Sequence, residues 1–293
     1  MRTALTLLST LLSTLIAAPL VAAGSSDLYL VPVASHVSGA NGTFWVSDVA
    51  IHNFQSAPLT VQLLFIESGQ GSDENVANLV SDTVPDGSVT VPAGGNVLLR
   101  DVLRGFDGHT DGLLGAIIVA ADLPFAVTSR AYSETPSGGS VGQTVPPVQD
   151  FLDNTVGNTD NATAVAYVPG LASSARFRTN LGFVAGGGTS GLTLTATLRG
   201  ANGASLGTRS FTIAPSTFTH VQFPAATISP TPFDVGSAEF RITAGDGAVA
   251  PYASVVDNTT ASAAFVNGTF PPNTTFGGST VFRRLVQRIL ADR

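Results

Sequence analysis

The chain has no cysteine, no lysine, a single tryptophan and a single methionine, and only 11% of its 293 residues are charged. Without cysteine, neither disulfides nor thiol chemistry contribute, so stability must come from apolar burial and strand pairing. All 13 basic residues are arginine, set against 20 Asp and Glu. An acidic, sparsely charged chain lacks the basic surface that nucleic acid phosphates demand, which excludes nucleic acid as an expected partner. The single tryptophan, Trp45, weakens sugar binding on rows of exposed aromatic platforms. No segment after the first 23 residues is apolar for the roughly 20 residues that a spanning helix requires.

What is present begins with an address. Residues 1–23 carry Arg2, an apolar run from Ala4 to Ile16 and then Val21-Ala22-Ala23 before Gly24. That is the pattern of a secretory signal, with cleavage expected after Ala23. The expectation is a soluble, secreted chain, whether periplasmic, cell-surface or extracellular. Loss of Arg2 leaves 12 basic against 20 acidic residues, a net charge of −8. About 270 mature residues suit two domains of common size, and a hydrophobic content of 44% is enough to give each a core.

An internal repeat organises those domains. Trp45, Ser47, Val49 and Ile51 match Phe177, Thr179, Leu181 and Phe183, an offset of 132. LTVQLLF from Leu59 matches LTLTATL from Leu192, and SVTVPAGGNVLL from Ser88 matches SFTIAPSTFTHV from Ser210 at an offset of 122. GAIIV from Gly115 matches GSAEF from Gly236, and FAVTSRAYSET from Phe125 matches VAPYASVVDNT from Val249. The ten-residue difference falls in the segment 68–87 of the first copy. It reads as a surface hairpin, where insertions are tolerated, so deletion of residues 70–85 is expected to spare the fold.

Period-two alternation rich in Val, Ile, Thr and Phe, broken by Gly, Pro, Asn and Asp turns, predicts strands throughout. In the first copy they fall near 28–34, 44–53, 59–66, 88–91, 96–99, 113–120 and 124–133. The expected fold is all-β: two tandem antiparallel β-sandwich domains, Ig-like or jelly-roll-like, with a short C-terminal helix. The boundaries are 24–150 for the first repeat, 151–163 for a linker, 164–268 for the second repeat and 269–293 for a linker and helix. Residues 101–106, DVLRGF, read as one helical turn capped by Asp101. The segment VFRRLVQRILADR places Phe282, Leu285, Val286, Ile289 and Leu290 on one helical face, with Arg283, Arg284 and Arg288 supplying charge.

VTVPAGGNVLLRDV followed by GAIIVAADLPFAVTSRAYS resembles the sheet unit of the sensory rhodopsin transducer family. FTIAPSTFTHVQF with GSAEFRITAGDGAVAPYASVVD resembles it again, without counterparts of Pro124 and Arg130. The tandem form, with Trp45-x-x-Asp48-x-x-x-x-Asn53 and a TPSGGSVGQTVPPV tail, is similar to secreted bacterial repeat proteins. The resemblance implies a β-sandwich that associates through its sheets, and it carries no catalytic residue across.

Four candidate chemistries stand out. Asp107, His109 and Asp111 lie in one short loop and present the mixed oxygen and nitrogen donors of a divalent site, calcium among the options. Gly138-Gly139-Ser140-Val141-Gly142 matches the nucleophile-elbow string, but Gln143-Thr144-Val145-Pro146-Pro147 follows where a helix is needed. Thr193, Thr195 and Thr197 form a row on one strand face, expected to be a solvent face of good β-formers. Asn41, Asn161, Asn258, Asn267 and Asn273 each begin an Asn-x-Ser/Thr string. Trp45 shares a strand face with Val49 and Ile51 and reads as a core residue. These patterns predict a non-catalytic structural or binding protein that associates with itself or with a surface glycan and needs no cofactor. Residues 68–87 and 105–112 are its expected contact loops; a secreted hydrolase is the remaining option.

Overall fold

The computed structural model describes residues 26–69, 76–149, 156–158 and 164–269. The expected signal segment, most of the expected 151–163 linker and the expected C-terminal helix lie outside the described residues. Nine strands form one antiparallel sheet: β1 (Ser26–Ser38), β2 (Phe44–Asn53), β3 (Leu59–Glu67), β4 (Val76–Asn78), β5 (Ser88–Val91), β6 (Asn96–Leu99), β7 (Leu113–Glu134), β8 (Ser140–Thr144) and β9 (Val148–Gln149). Seven more form a second: β10 (Val156–Asn158), β11 (Val165–Ser173), β12 (Phe177–Gly200), β13 (Ser205–Ile213), β14 (Phe218–Pro224), β15 (Phe233–Asp257) and β16 (Ala263–Asn267). The expected all-β, two-unit architecture is what the chain adopts.

Each sheet folds over on itself because a few strands run through both layers. The first half of β7 pairs with β1 and β3, and its second half pairs with β2 and β8. The segments expected as separate strands at 113–120 and 124–133 are therefore one strand. In the second copy, β12 and β15 do the same: residues 192–200 and 236–245 pair in one layer, 177–187 and 247–257 in the other. The first copy stacks β1-β7-β3-β5 over β8-β7-β2-β6, and the second stacks β11-β15-β12-β13 over β16-β15-β12-β14.

The ladders test the repeat residue by residue. Ile51 pairs with Val127 and Phe183 with Pro251, so the offsets of 132 and 124 are both kept. Gln62 pairs with Ala120 and Thr195 with Arg241, which matches the GAIIV and GSAEF alignment. One match slips: Val97 pairs with Ile51 and Val221 with Phe183, so the offset over β6 and β14 is 221 − 97 = 124. A two-residue slip preserves which side chains face inward, so the sequence pattern alone does not reveal it.

Two local expectations are corrected. Segment 68–87 is not a dispensable hairpin: β4 lies in it, and Val76, Leu79 and Val84 are buried. Cutting out 70–85 would remove core side chains. Residues 101–105 form a turn rather than a capped helical turn, because Asp101 takes a left-handed φ of 46°. The Asp101 amide donates to Asp48 Oδ1, and its carboxylate meets His36 Nδ1.

The burial pattern of β3 shows where the copies meet. Leu59, Val61 and Leu63 are buried while Thr60 and Gln62 face solvent, then both faces close from Leu64 to Ile66. Leu30, Leu64, Ile66, Val76, Ala116 and Ile118 of the first copy pack there against Val184, Phe218, Ala248 and Ala250 of the second. Burying such side chains contributes on the order of 1.5–3 kcal/mol each. Tyr252 of the second copy reaches further, into the core of the first. A parallel bridge joins Ser68 to His220, and the Gly69 amide donates to the His220 carbonyl.

Candidate functional site

The Asp107, His109 and Asp111 side chains are exposed, and among the described residues no group of three His, Cys, Asp or Glu is placed to hold a metal ion. Asp111 instead accepts from the amide and hydroxyl of Ser38, at 2.8 and 2.7 Å. Those bonds hold its carboxyl below the usual carboxylate range. Loops 68–87 and 105–112 do come together: Ala77, Asn78 and Val80 face Gly105 to Gly108 around a cavity of about 600 Å³. Arg104, just before the second loop, pairs with Asp82 of the first. Ser140 opens strand β8 with no helix behind it. Thr193, Thr195 and Thr197 alternate with buried Leu194, Ala196 and Leu198, as expected of an outer face. Asn258 and Asn267 use their amides within the fold, on Ala175 and Pro146.

The polar residues of the Trp45-x-x-Asp48-x-x-x-x-Asn53 pattern also have internal partners. Buried Asp48 accepts from Arg130 Nη2 at 2.9 Å and from the Asp101 amide. Asn53 donates to the carbonyls of Ala57, Val91 and Pro92. Trp45 is different. It rests half-buried against the first core, its Nε1–H donates to Thr43 Oγ1 at 3.0 Å, and its indole lines a cleft between the copies. Gly39 lies so close that a Cβ there would meet the indole at 2.6 Å.

That cleft has a volume of about 390 Å³, within the roughly 300–1,000 Å³ typical of small-molecule sites. The first copy supplies Trp45, Val33, Ser35, Ser38, Leu114 and Gln143, and the second supplies Arg178, Asn180, Gln222, Ser254 and Val256. Its lining contains no Asp or Glu among the described residues, although acids outnumber bases in the chain. Arg178 sends Nη1–H to Asn258 Oδ1 at 2.7 Å, and burial draws its pKa below the ordinary value. Arg100, Arg104, Arg130, Arg176, Arg199 and Arg241 each stand beside a carboxylate. Arg209 lies over Phe211 and Phe223. Arg178 alone, of the eight described arginines, has neither a carboxylate nor a ring.

Two amides in the cleft have a fixed sense. Ser254 Oγ–H donates to Gln143 Oε1 at 2.9 Å, and Tyr252 O–H donates to Gln222 Oε1 at 3.2 Å. Tyr252 also meets buried His220 Nε2 at 2.6 Å, while His220 Nδ1 has no partner. A bare ring nitrogen is a cheaper orphan than a buried N–H, so the proton is assigned to Nε2 and the Tyr252 hydroxyl is left to donate onward. Both glutamine oxygens are thus occupied, and both NH₂ groups are the ends left for the cleft. Burial lowers the His220 pKa to about 3, so the ring is neutral here.

The sequence reading of Trp45 as a core residue agrees with its packing against the first core but did not show that the indole also lines the cleft, and it singled out none of Arg178, Asn180, Gln222 and Ser254. A comparison of the copies would have found them. These four positions correspond to Val46, Asp48, Leu98 and Arg130, where polarity or charge changes between the copies.

No family model matches the chain, and no curated protein matches it in sequence. Among solved structures, it is similar to that of the infectious bursal disease virus Gx strain at 11% identity and a TM-score of 0.24, covering 92% of this chain and 83% of the other. It is also similar to the C-terminal domain of the Streptococcus pyogenes antigen I/II-family protein AspA, at 9% identity and a TM-score of 0.17, covering 85% and 100%. At these scores the likeness carries no argument about function. Among the described residues no helix is long and apolar enough to cross a membrane.

Proposed function

We propose that the chain is an exported, non-catalytic binding protein whose ligand seat is the cleft between its two sandwiches. The observation that carries this reading is the convergence, from both copies, of an indole wall, amide donors and an arginine without an acidic partner on one concave site. Apolar walls with a few placed polar groups are what ligand sites share. A glycan is the ligand class this lining suits: the indole offers an apolar platform, and the amides and serines offer hydrogen bonds to hydroxyls. Because Trp45 is the single tryptophan, its emission reports on the cleft directly. Titration of the mature chain with a panel of neutral and acidic oligosaccharides is expected to shift Trp45 emission, with matching heats by calorimetry. If no member of the panel does either, the reading falls.

Self-association is the second reading, favoured by one face. Phe54 and Leu98 are exposed at 53% and 49% on the outer side of β2 and β6, and the corresponding face of the second copy is the one covered by the first. Light scattering coupled to size exclusion decides it. A dimer that Leu98→Asp converts to monomer supports assembly, and a monomer at every concentration removes it.

A further inference from the structure

Resting on that reading of the cleft, we infer that its ligand is an acidic saccharide, a ring of the uronate type whose carboxylate is taken by Arg178. Three properties of the site lead there. First, the lining is rich in donors: Arg178, Gln143 and Gln222 line a space that includes no carboxylate among the described residues, and both glutamine Oε1 atoms already accept from hydroxyls. A ligand that satisfies those donors must be rich in acceptors.

Second, Arg178 is a cation without an ion-pair partner among the described residues, in an acidic protein. In the first copy the corresponding strand position is Val46, which faces outward on the uncovered sheet. The charge therefore appears in the copy whose face closes on the cleft, where burial disfavours it. One nitrogen is held by Asn258, which fixes the planar group and leaves its other N–H donors for a carboxylate. Guanidinium matches carboxylate geometry in a way that a point charge does not.

Third, the lining has an apolar share drawn from both copies. Trp45, Val33, Leu114 and Val256 supply a wall for the C–H face of a ring, and Ser35 and Asn180 add neutral hydrogen-bonding groups. A simple anion has no use for the indole, and a neutral sugar leaves the charge of Arg178 unmatched. Arg178 and Ala40 also line an adjoining cavity of about 260 Å³, where Glu134 stands. The carboxylate thus belongs in the cleft, and a neighbouring residue of the same saccharide in the adjoining cavity.

The test uses the full mature chain and three probes: trigalacturonate, its methyl ester, and acetate. Calorimetry and Trp45 emission are read together. Trigalacturonate is expected to bind at least tenfold more tightly than the ester. Arg178→Gln is expected to remove that difference, lowering affinity for the acid about tenfold and leaving the ester unchanged. Thermal melting checks that the variant is folded, and the acid-to-ester ratio on the unaltered chain stands without it. Equal binding of acid and ester overturns the acidic-saccharide inference and leaves the cleft reading in place. Acetate binding as tightly as trigalacturonate overturns it too, since the site is then a simple anion hole. Failure of both saccharides, together with a silent oligosaccharide panel, overturns the cleft reading itself.

Discussion

The two copies share strand order and nearly all of their register, yet their outer faces are opposites. On the layer built from β1, β7 and β3, the first copy presents Leu30, Leu64, Ile66, Ala116 and Ile118, all buried. The corresponding positions of the second copy are Tyr167, Thr197, Arg199, Ser237 and Glu239, and there Arg199 and Arg241 flank the Glu239 carboxylate. On the other layer the pattern reverses. The first copy carries Asp48 with Arg130 and Tyr132 facing outward, while the second carries Asn180, Ser254 and Val256 facing the first copy. Each copy has one face made for contact and one made for water. The pair therefore closes on itself: the apolar face of one meets the covered face of the other, and the charged faces are left outside. Duplication supplied the fold, and divergence of the outward positions supplied the interface and the cleft.

Exchanging residues between corresponding positions breaks this complementarity, beginning with the largest expected effect. Ile66→Arg gives the first copy the residue that stands at 199 in the second. An arginine without a partner, buried among Leu64, Val184 and Phe218, is expected to cost about 3–5 kcal/mol and to separate the sandwiches, read as a loss of cooperativity in urea unfolding. His220→Asn installs the first copy's Asn96. The neutral ring is stabilising above its unfolded pKa near 6.5, and because burial lowers the folded value to about 3, that stability is lost as pH falls between those values. The loss is roughly 1.4 kcal/mol per pH unit, and His220→Asn is expected to flatten that part of the stability–pH curve.

Asp48→Asn gives the first copy the residue found at 180. It weakens the acceptor shared by Arg130, Tyr132 and the Asp101 amide, and about 1–3 kcal/mol is expected to be lost, seen as a lower midpoint in urea. Thr195→Val alters a half-exposed outer position bonded to Ser210. The expected change is within about 0.5 kcal/mol, and a melting curve that falls well outside this range would show that the threonine row has a partner.

Much of the fold was legible because β patterning records which side of a strand is buried. The run Leu59-Thr60-Val61-Gln62-Leu63 shows it directly, and the matched runs of the two copies take the same ladder positions on β2 and β7 as on β12 and β15. The site was less legible for a physical reason. Alternation distinguishes one covered face from one wet face, and it reads Leu64 to Ile66 only as a more apolar stretch, without saying that another sandwich lies there. Trp45 satisfied the core pattern and does pack against the core, so nothing in its own strand announced that the rest of the indole lines a cleft. Arg178 drew no attention in the sequence because much of its surroundings comes from the first copy, with Val33 to Trp45 more than 130 positions earlier. Asp107, His109 and Asp111 show the converse: close in sequence, they do not form a group of metal ligands among the described residues, and Asp111 is engaged by Ser38.

The strands that run through both layers also govern the order in which the molecule can be made. β1 finds its long partner only when β7 exists, about 80 residues later, and β11 waits likewise for β15. A nascent chain therefore holds most of its first strand unpaired through most of each repeat, apart from the end of β1 that meets β2, and such non-local closure is slow. Because β7 and β15 each belong to both layers of their sandwich, their arrival joins the two layers, and only the short β8, β9 and β16 remain to be added. Each copy then has a late step at which its layers are joined, and the docking face of the first copy stays open until the second reaches that step.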